Sequence, residues 1–109
     1  MVKFFLQLVI IIILSQTLIL SQTTYYVSEN GSNSNNGLTP QTAFETLQYA
    51  ADMISAGDSV LVLEGNYIGF DIRTNGTQNS PIVFRAIENN VVIDQRNSVT
   101  PDGINIENT

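Results

Sequence analysis

Short apolar segments separated by polar turns make up the chain after Gly57, and this pattern limits the fold more than any other feature. Each segment is bounded by Asn, Gly, Asp or Pro, which is typical of short β-strands. Apolar pairs recur at a step of about 22 residues, a length typical of stacked supersecondary units: Val60 and Val62, Ile82 and Phe84, and Ile104 and Ile106. A second series recurs at nearly the same step, first as Phe70 and Ile72 and then as Val91 and Ile93. The chain after Gly57 is therefore predicted to be repetitive.

The repeat distinguishes between three all-β architectures, namely a sandwich, a barrel and a solenoid. A leucine-rich repeat has a similar length, but its ladder of leucines is missing. A parallel β-helix fits, because each coil lays its strands on those of the coil before and alternate side chains point inward. We therefore predict a mainly β solenoid with about two to three coils in residues 58–109.

An amphipathic helix is predicted from Ala43 to Ser55, before the first coil. Thr42 and Glu45 have the spacing of a capping box, and Gly57 lies where a left-handed residue would follow the helix. The apolar residues form one stripe: Phe44, Leu47, Ala51 and Ile54. We expect this stripe to cover the open end of the coil stack, whose strand edges would otherwise pair with other chains.

A loop of Asn, Ser and Gly from Asn30 to Gly37 separates this helix from a strand predicted at Thr23 to Ser28. The loop imitates the start of a calcium-binding loop, with Ser32, Ser34 and Asn36 at alternating positions. None of these is a carboxylate, and the position of the essential glutamate is Ala43. We interpret the loop as a structural turn rather than a linker or a cation site.

Residues 1–22 have the pattern of a secretory signal peptide. Lys3 is followed by an apolar run from Phe4 to Leu14 and then by small polar residues, with Ser21 at a suitable cleavage position. The alternative is an uncleaved membrane anchor, which would need about 17 residues or more. We predict a cleaved signal, secretion or cell-surface display, and membrane contact only through this segment. The chain then divides into residues 1–22, 23–57 and 58–109.

The composition excludes several classes of function. Four basic and ten acidic residues give a net charge of −6, which disfavours binding to nucleic acid. The chain has no Cys and no His, which excludes disulfides, thiolate nucleophiles, a Ser-His-Asp triad and His-based metal sites within these residues.

Several segments follow one another in a characteristic order: Tyr25–Ser28, Asn30–Gly37, Thr39-Pro40, the predicted helix, Gly57-Asp58-Ser59 and Gly65-Asn66-Tyr67. Together they resemble the start of secreted right-handed parallel β-helix proteins of the polysaccharide-lyase type, such as pectate lyases, chondroitinase B and alginate lyases. The resemblance covers roughly Thr24 to Asp94. It implies a right-handed coil and a longer protein, of which these residues would be the N-terminal fragment.

The resemblance also implies a function. It indicates a secreted carbohydrate-active protein, first of all a polysaccharide (uronate) lyase, whose calcium and catalytic residues lie on middle coils downstream. We therefore assign no catalytic, cofactor-binding or metal residue to positions 1–109, expect polysaccharide to bind downstream, and expect this segment alone to be inactive. The alternatives are a non-catalytic surface or adhesion protein on the same solenoid, and a complete small binding module. No oligomeric state is predicted.

A few side chains are candidates for chemistry within the chain itself. Asp71, Asp94 and Asp102 suggest calcium, but we interpret them as solvated surface acids. We expect Arg85 and Glu107, which lie one assumed repeat apart, to form an exposed ion pair on adjacent coils. The tyrosines that could stack on sugars are interpreted as packing residues: Tyr25, Tyr26 and Tyr67. Asn30 and Asn75 match the N-glycosylation pattern, which has meaning only in a eukaryotic host.

Overall fold

The computed structural model describes residues 21–98, 100 and 102–107. Within these residues the protein is mainly β, with seven short strands, one α-helix and one 3₁₀ turn. The strands are β1 Thr24–Val27, β2 Ser59–Val62, β3 Gly65–Ile68, β4 Phe70–Ile72, β5 Val83–Ala86, β6 Val91–Gln95 and β7 Ile104–Ile106. The α-helix, α1, is Leu47–Met53, and the 3₁₀ turn is Pro40–Thr42. The predicted first strand is thus confirmed.

The signal peptide predicted for residues 1–22 lies almost wholly outside the described residues, which begin at residue 21. In the part of the chain that is described, no helix has the length and apolar character needed to cross a membrane.

Three small sheets contain all the described strands, and every strand pairing in them is parallel. The first sheet has the order β1-β2-β5, the second pairs β3 with β6, and the third pairs β4 with β7. The chain therefore passes through the three sheets in the same order twice, first with β2, β3 and β4 and then with β5, β6 and β7. No closed barrel is formed by these strands.

The uniform repeat predicted from the sequence is wrong. Val60 lies beside Phe84, not Ile82, because β5 pairs with β2 two residues further along the chain than the predicted step, and the Val83 amide donates to the Asp58 carbonyl at 3.1 Å. Ile104 lies beside Phe70 in the third sheet and has no place in the first. The distance along the chain between paired strands increases from the first sheet to the third, because the polar turns between strands differ in length.

The helix is shorter than the predicted range of Ala43 to Ser55, and its cap is different. The side chain of Thr46, not that of Thr42, accepts the bond from the helix, at the Tyr49 amide. Residues 43 and 44 are extended because Phe44 forms a parallel bridge with Val27. The Phe44 amide donates to the Tyr26 carbonyl at 2.9 Å, so strand pairing overrides helix propensity here.

The predicted apolar stripe is confirmed as buried, with Phe44, Leu47, Ala51 and Ile54 at most 4% exposed. It packs in a core with residues from all three sheets: Val27, Val60, Val62, Tyr67 and Phe70. The free edge of β1 is covered by the loop and by Phe44 rather than by the helix, because the Tyr26 amide donates to the Gly37 carbonyl at 2.7 Å and the Ser28 amide donates to the Phe44 carbonyl at 2.9 Å. Gly57 has the predicted positive φ of 90°, but it lies in the turn to β2, after the helix has ended in extended backbone at Ile54.

The loop from Asn30 to Gly37 is an ordered turn, as predicted. The Asn33 Oδ1 atom accepts from the amides of Glu45 and Thr46, at 2.9 and 3.2 Å. The Asn35 Nδ2 atom donates to the Ala43 carbonyl at 3.0 Å. Asn33 thus satisfies two backbone amides at the entry to α1, and Asn35 adds a second bond to the Ala43 carbonyl, which also accepts from the Ser32 amide at 3.1 Å.

Replacing Asn33 with Ala is expected to lower the free energy of unfolding by about 1–2 kcal/mol, because two helix-entry amides lose their acceptor. Asn33→Asp keeps that acceptor and is expected to cost less than half as much. Ser34→Ala, at an exposed neighbour, is the control. Urea denaturation followed by circular dichroism measures all three, and equal stability of the Asn33→Ala and Ser34→Ala variants would contradict the assigned role.

Candidate functional site

A cleft of about 350 Å³ opens between the start of α1, the strand β3 and the segment 95–98. Its apolar lining includes Leu47, Tyr67, Ile68 and Gly69. The exposed polar residues of the lining, called the rim below, are Glu45, Asn66, Gln95 and Ser98, whereas Gln48 is half-buried and Asn97 is buried. An apolar surface with a few convergent polar groups is the usual composition of a small-molecule site.

Asp71 holds two walls of this cleft together. Its amide donates to Gln48 Oε1 at 3.0 Å, and its carbonyl accepts from Gln48 Nε2 at 3.2 Å, which fixes the helix wall. Its carboxylate accepts from Asn97 Nδ2 at 2.5 Å, which fixes the opposite wall. The Asp71 side chain is 2% exposed, and Arg73 lies 3.4 Å from its second oxygen and partly balances the buried charge.

The lining of the cleft contains neutral amides, the hydroxyls of Thr46, Tyr67 and Ser98, and one carboxylate. Amide groups both donate and accept hydrogen bonds, as does the hydroxyl of Ser98. Glu45 is the charged residue of the lining, and the described residues that line the cleft include no Lys or Arg. The arrangement can therefore bind a neutral polar molecule and disfavours an anionic one.

The structure separates the three acids that suggest calcium in the sequence. The prediction of a surface position is confirmed for Asp94 and Asp102, which are exposed, and is wrong for Asp71, which is buried. Asp71 lies between Phe70 and Ile72, so strand alternation turns it away from the core, but α1 covers that side with Gln48. Among the described residues, no group of three His, Cys, Asp or Glu side chains could hold a metal ion.

The predicted ion pair between Arg85 and Glu107 is wrong. Arg85 lies beside Leu61 in the first sheet, whereas Glu107 follows β7 of the third sheet and pairs with Arg73 at 3.8 Å. The error follows from the assumption of a constant period. The glycosylation pattern at Asn30 and Asn75 stays a prediction, and both residues are exposed.

Two of the three tyrosines near the cap, Tyr25 and Tyr67, pack as predicted, and the packing of Tyr26 stays a prediction. Tyr25 stacks on Phe44 with ring centroids 5.5 Å apart, and Tyr26 is half-buried in β1. Tyr67 is 4% exposed, and its hydroxyl donates to the Leu63 carbonyl at 2.7 Å.

Burial raises the pKa of the Tyr67 phenol above its ordinary value of 10.0, and the nearby carboxylate of Glu29 adds to the increase.

This raised pKa predicts that stability falls in alkaline solution. The folded state keeps the phenol of Tyr67 protonated where the unfolded chain releases the proton, so the stabilisation is complete below pH 10.0 and is lost as the pH rises through the folded pKa. Urea midpoints measured from pH 8 to pH 11 should fall above pH 10 and fall less in a Tyr67→Phe variant. Tyr26→Phe is the control and should keep the full decline; an identical decline in the Tyr67→Phe variant would contradict the assignment.

Relatives of the chain were found both among curated proteins and among solved structures, while no protein-family model matches it. The chain is 46% identical over 70 residues to the uncharacterized protein YwoF of Bacillus subtilis strain 168, a match that covers 62% of this chain and 15% of YwoF. It is also similar to XylC, solved in complex with xylose, with a TM-score of 0.59 and 30% identity over 64% of this chain and 11% of XylC.

A second solved structure with the same local fold is the GH136 lacto-N-biosidase from Eubacterium ramulus, with a TM-score of 0.55 and 26% identity. That match covers 62% of this chain and 12% of the enzyme. The chain thus spans between 11% and 15% of the length of these three proteins. One of the two solved neighbours holds a sugar and the other is named as a biosidase, so this arrangement of strands occurs in proteins of carbohydrate chemistry.

Proposed function

We propose that this chain forms the N-terminal cap and first coils of a secreted carbohydrate-active protein built as a right-handed parallel β-helix. The observation that carries the proposal is the double passage of the chain through three parallel sheets. Two solved proteins of carbohydrate chemistry share this part of the fold at 30% and 26% identity, which supports the functional half of the proposal.

The outer strands support the presence of further coils. Ile104 and Ile106 in β7 are 51% and 68% exposed, and Val83 in β5 and Val92 in β6 are also exposed. A further coil stacked on these strands would bury this apolar surface and pair their outer edges. In a protein of the length of the relatives, most of the chain would consist of such coils.

The reaction that we propose is lyase cleavage of a uronate-containing polysaccharide on the middle coils. In such a β-elimination a basic side chain removes the proton on the carbon next to the uronate carboxylate, the neighbouring C–O glycosidic bond breaks as a C=C bond forms, and the leaving oxygen takes up a proton. A cation bound to the carboxylate would make that C–H more acidic. The calcium and the base would come from residues beyond position 109, and the 109-residue chain alone is expected to have no lyase activity.

The protein encoded by the whole gene tests this proposal when it is incubated with pectate, alginate and chondroitin sulfate. The expected result is new ultraviolet absorbance from an unsaturated product, absent with the 109-residue chain. Hydrolysis of a neutral glycan would keep the carbohydrate function and reject the lyase reaction. Binding of polysaccharide without cleavage would favour the non-catalytic surface protein, and neither binding nor cleavage would reject the proposal.

Export is tested separately. The protein produced in a bacterial host is expected in the culture medium or at the cell surface, with a new N-terminus near Ser21 that N-terminal sequencing identifies. A double variant, Leu6→Asp with Leu8→Asp, places two charges in the apolar run and removes the feature that a signal peptide needs. This variant is expected to stay inside the cell, and its normal export would contradict the signal.

A further inference from the structure

We propose that the cleft between α1, β3 and the segment 95–98 is a subsite for one unit of a neutral carbohydrate. This inference rests on the proposed carbohydrate function and names, within the described residues, a binding site and a ligand class. It also separates this cleft from the uronate chemistry assigned to downstream coils.

The two walls of the cleft are held rigidly before any ligand binds. Gln48 on the helix side and Asn97 on the opposite side are both bonded to the buried Asp71, at 3.0–3.2 Å and 2.5 Å. Their amides are therefore occupied in bracing the cleft, and the width between the walls is fixed. A fixed width lowers the entropic cost of binding, because no wall has to be ordered by the ligand.

The outer rim supplies the groups that would contact the ligand. The side chains of Asn66 and Gln95 are exposed on adjacent paired strands, β3 and β6, and both line the cleft together with Ser98. Amides and a hydroxyl match the alternating donors and acceptors of sugar hydroxyls. Ile68, on the same outward face of β3 as Asn66, is 51% exposed and gives the apolar face of a sugar ring a surface to lie on.

Charge decides between a neutral and an anionic sugar. Glu45 places a carboxylate on the rim, and the described lining contains no cation to pair with a uronate. An anionic unit would therefore lose hydration and face a like charge without compensation. The cleft is thus suited to neutral units, such as those of a xylan, and not to galacturonate.

Titration of the full chain with xylotriose and with trigalacturonate tests the inference, using isothermal calorimetry together with amide chemical shifts. The expected result is binding of xylotriose, with shifts at residues 45–48, 66–69 and 95–98, and weaker or undetectable binding of trigalacturonate. Gln95→Ala and Asn66→Ala should each weaken xylotriose binding roughly 2- to 10-fold, the range expected for one hydrogen bond.

The chain offers matched controls for both changes. Gln78→Ala and Asn79→Ala remove the same side chains from exposed positions that do not line the cleft, and they should leave binding unchanged. Glu45→Gln removes the carboxylate of the lining and should reduce the ratio of the affinity for xylotriose to the affinity for trigalacturonate. Equal effects of the cleft and control variants, or tighter binding of trigalacturonate, would overturn the inference.

The outcome is separable from that of the proposed function. If xylotriose does not bind the chain while the protein from the whole gene still cleaves a polysaccharide, the subsite is rejected and the function stands. If xylotriose binds at the cleft and the whole protein cleaves nothing, the subsite stands and the lyase reaction is rejected.

Discussion

The Phe44→Ala variant is expected to lose about 3–5 kcal/mol of unfolding free energy, the range for removing a large buried aromatic side chain. Phe44 is 1% exposed, and its ring contacts Tyr25 and Tyr49 with centroids 5.5 and 4.8 Å away. Its backbone also pairs with the free edge of β1. Alanine keeps the backbone bridge and leaves a cavity between the cap and the first strand, so the loss measures the packing of the cap alone.

Gly37 packs directly against the ring of Phe44. Its φ is +73°, and a Cβ there would lie 2.5 Å from the Phe44 ring.

Leu38→Ala is the control for Phe44→Ala, because Leu38 is 50% exposed and its truncation should change stability by no more than about 0.5 kcal/mol. Urea denaturation compares the two variants, and a Phe44→Ala loss as small as that of Leu38→Ala would show that the cap does not pack on β1 as described.

The Asp58→Ala variant is expected to lose about 2–4 kcal/mol, because hydrogen bonds to a charged group contribute about 1.5–3 kcal/mol each and their effects are not fully additive. Asp58 is 5% exposed, and its two carboxylate oxygens accept from the amides of Thr23 and Ser55 at 2.9 and 2.8 Å. The side chain thus joins the start of β1 to the segment that follows α1. Removing it leaves two backbone donors without an acceptor.

Two further variants define the role of Asp58. Asp58→Asn keeps one acceptor and turns an NH₂ group towards the other amide. This variant is therefore expected to lose at least about half as much unfolding free energy as Asp58→Ala. Asp94→Ala, at an exposed position of β6, removes the same carboxylate without these bonds and should be nearly neutral. The melting temperatures of all three variants test this role of Asp58. Equal melting temperatures of Asp58→Ala and Asp94→Ala would show that Asp58 does not join the two segments.

Local patterns in the sequence predicted the elements well, and long-range register poorly. The apolar stripe from Phe44 to Ile54 required burial, and it is buried. The spacing of apolar pairs did not determine which strands pair, because Ile104 is apolar in either sheet and only the length of the turn after β6 brings it to Phe70. A constant period requires turns of constant length, and the polar turns of this chain vary.

The start of the helix shows a second limit of local reasoning. Thr42 and Glu45 satisfy the spacing of a capping box, and Thr39 and Thr42 form the same kind of reciprocal bond in the 3₁₀ turn. Thr42 does not cap α1 because Phe44, two residues later, pairs with Val27 at the edge of strand β1 and is therefore extended rather than helical. Helix propensity acts within a turn, whereas this pairing depends on tertiary structure.

The cleft was the part least accessible from sequence. Asp71 alternates with apolar residues and so has the pattern of a surface acid, and nothing near Gln48 or Asn97 in the sequence marks them as its partners. Their contact depends on where α1 and the segment 95–98 are placed by the fold. The only local signal was that an acid lies inside a short strand, where acids are depleted.

The central claim is that the chain passes twice, in the same order, through three small sheets of parallel strands, because the cap, the cleft and the proposed function all depend on that arrangement. Scalar couplings across backbone hydrogen bonds, measured by NMR, test it directly. The account predicts a coupling between the Val83 amide and the Asp58 carbonyl, and another between the Phe70 amide and the Gly103 carbonyl. Absence of both couplings, with contacts that instead place Ile82 beside Val60 and Ile104 beside Ile82, would contradict it.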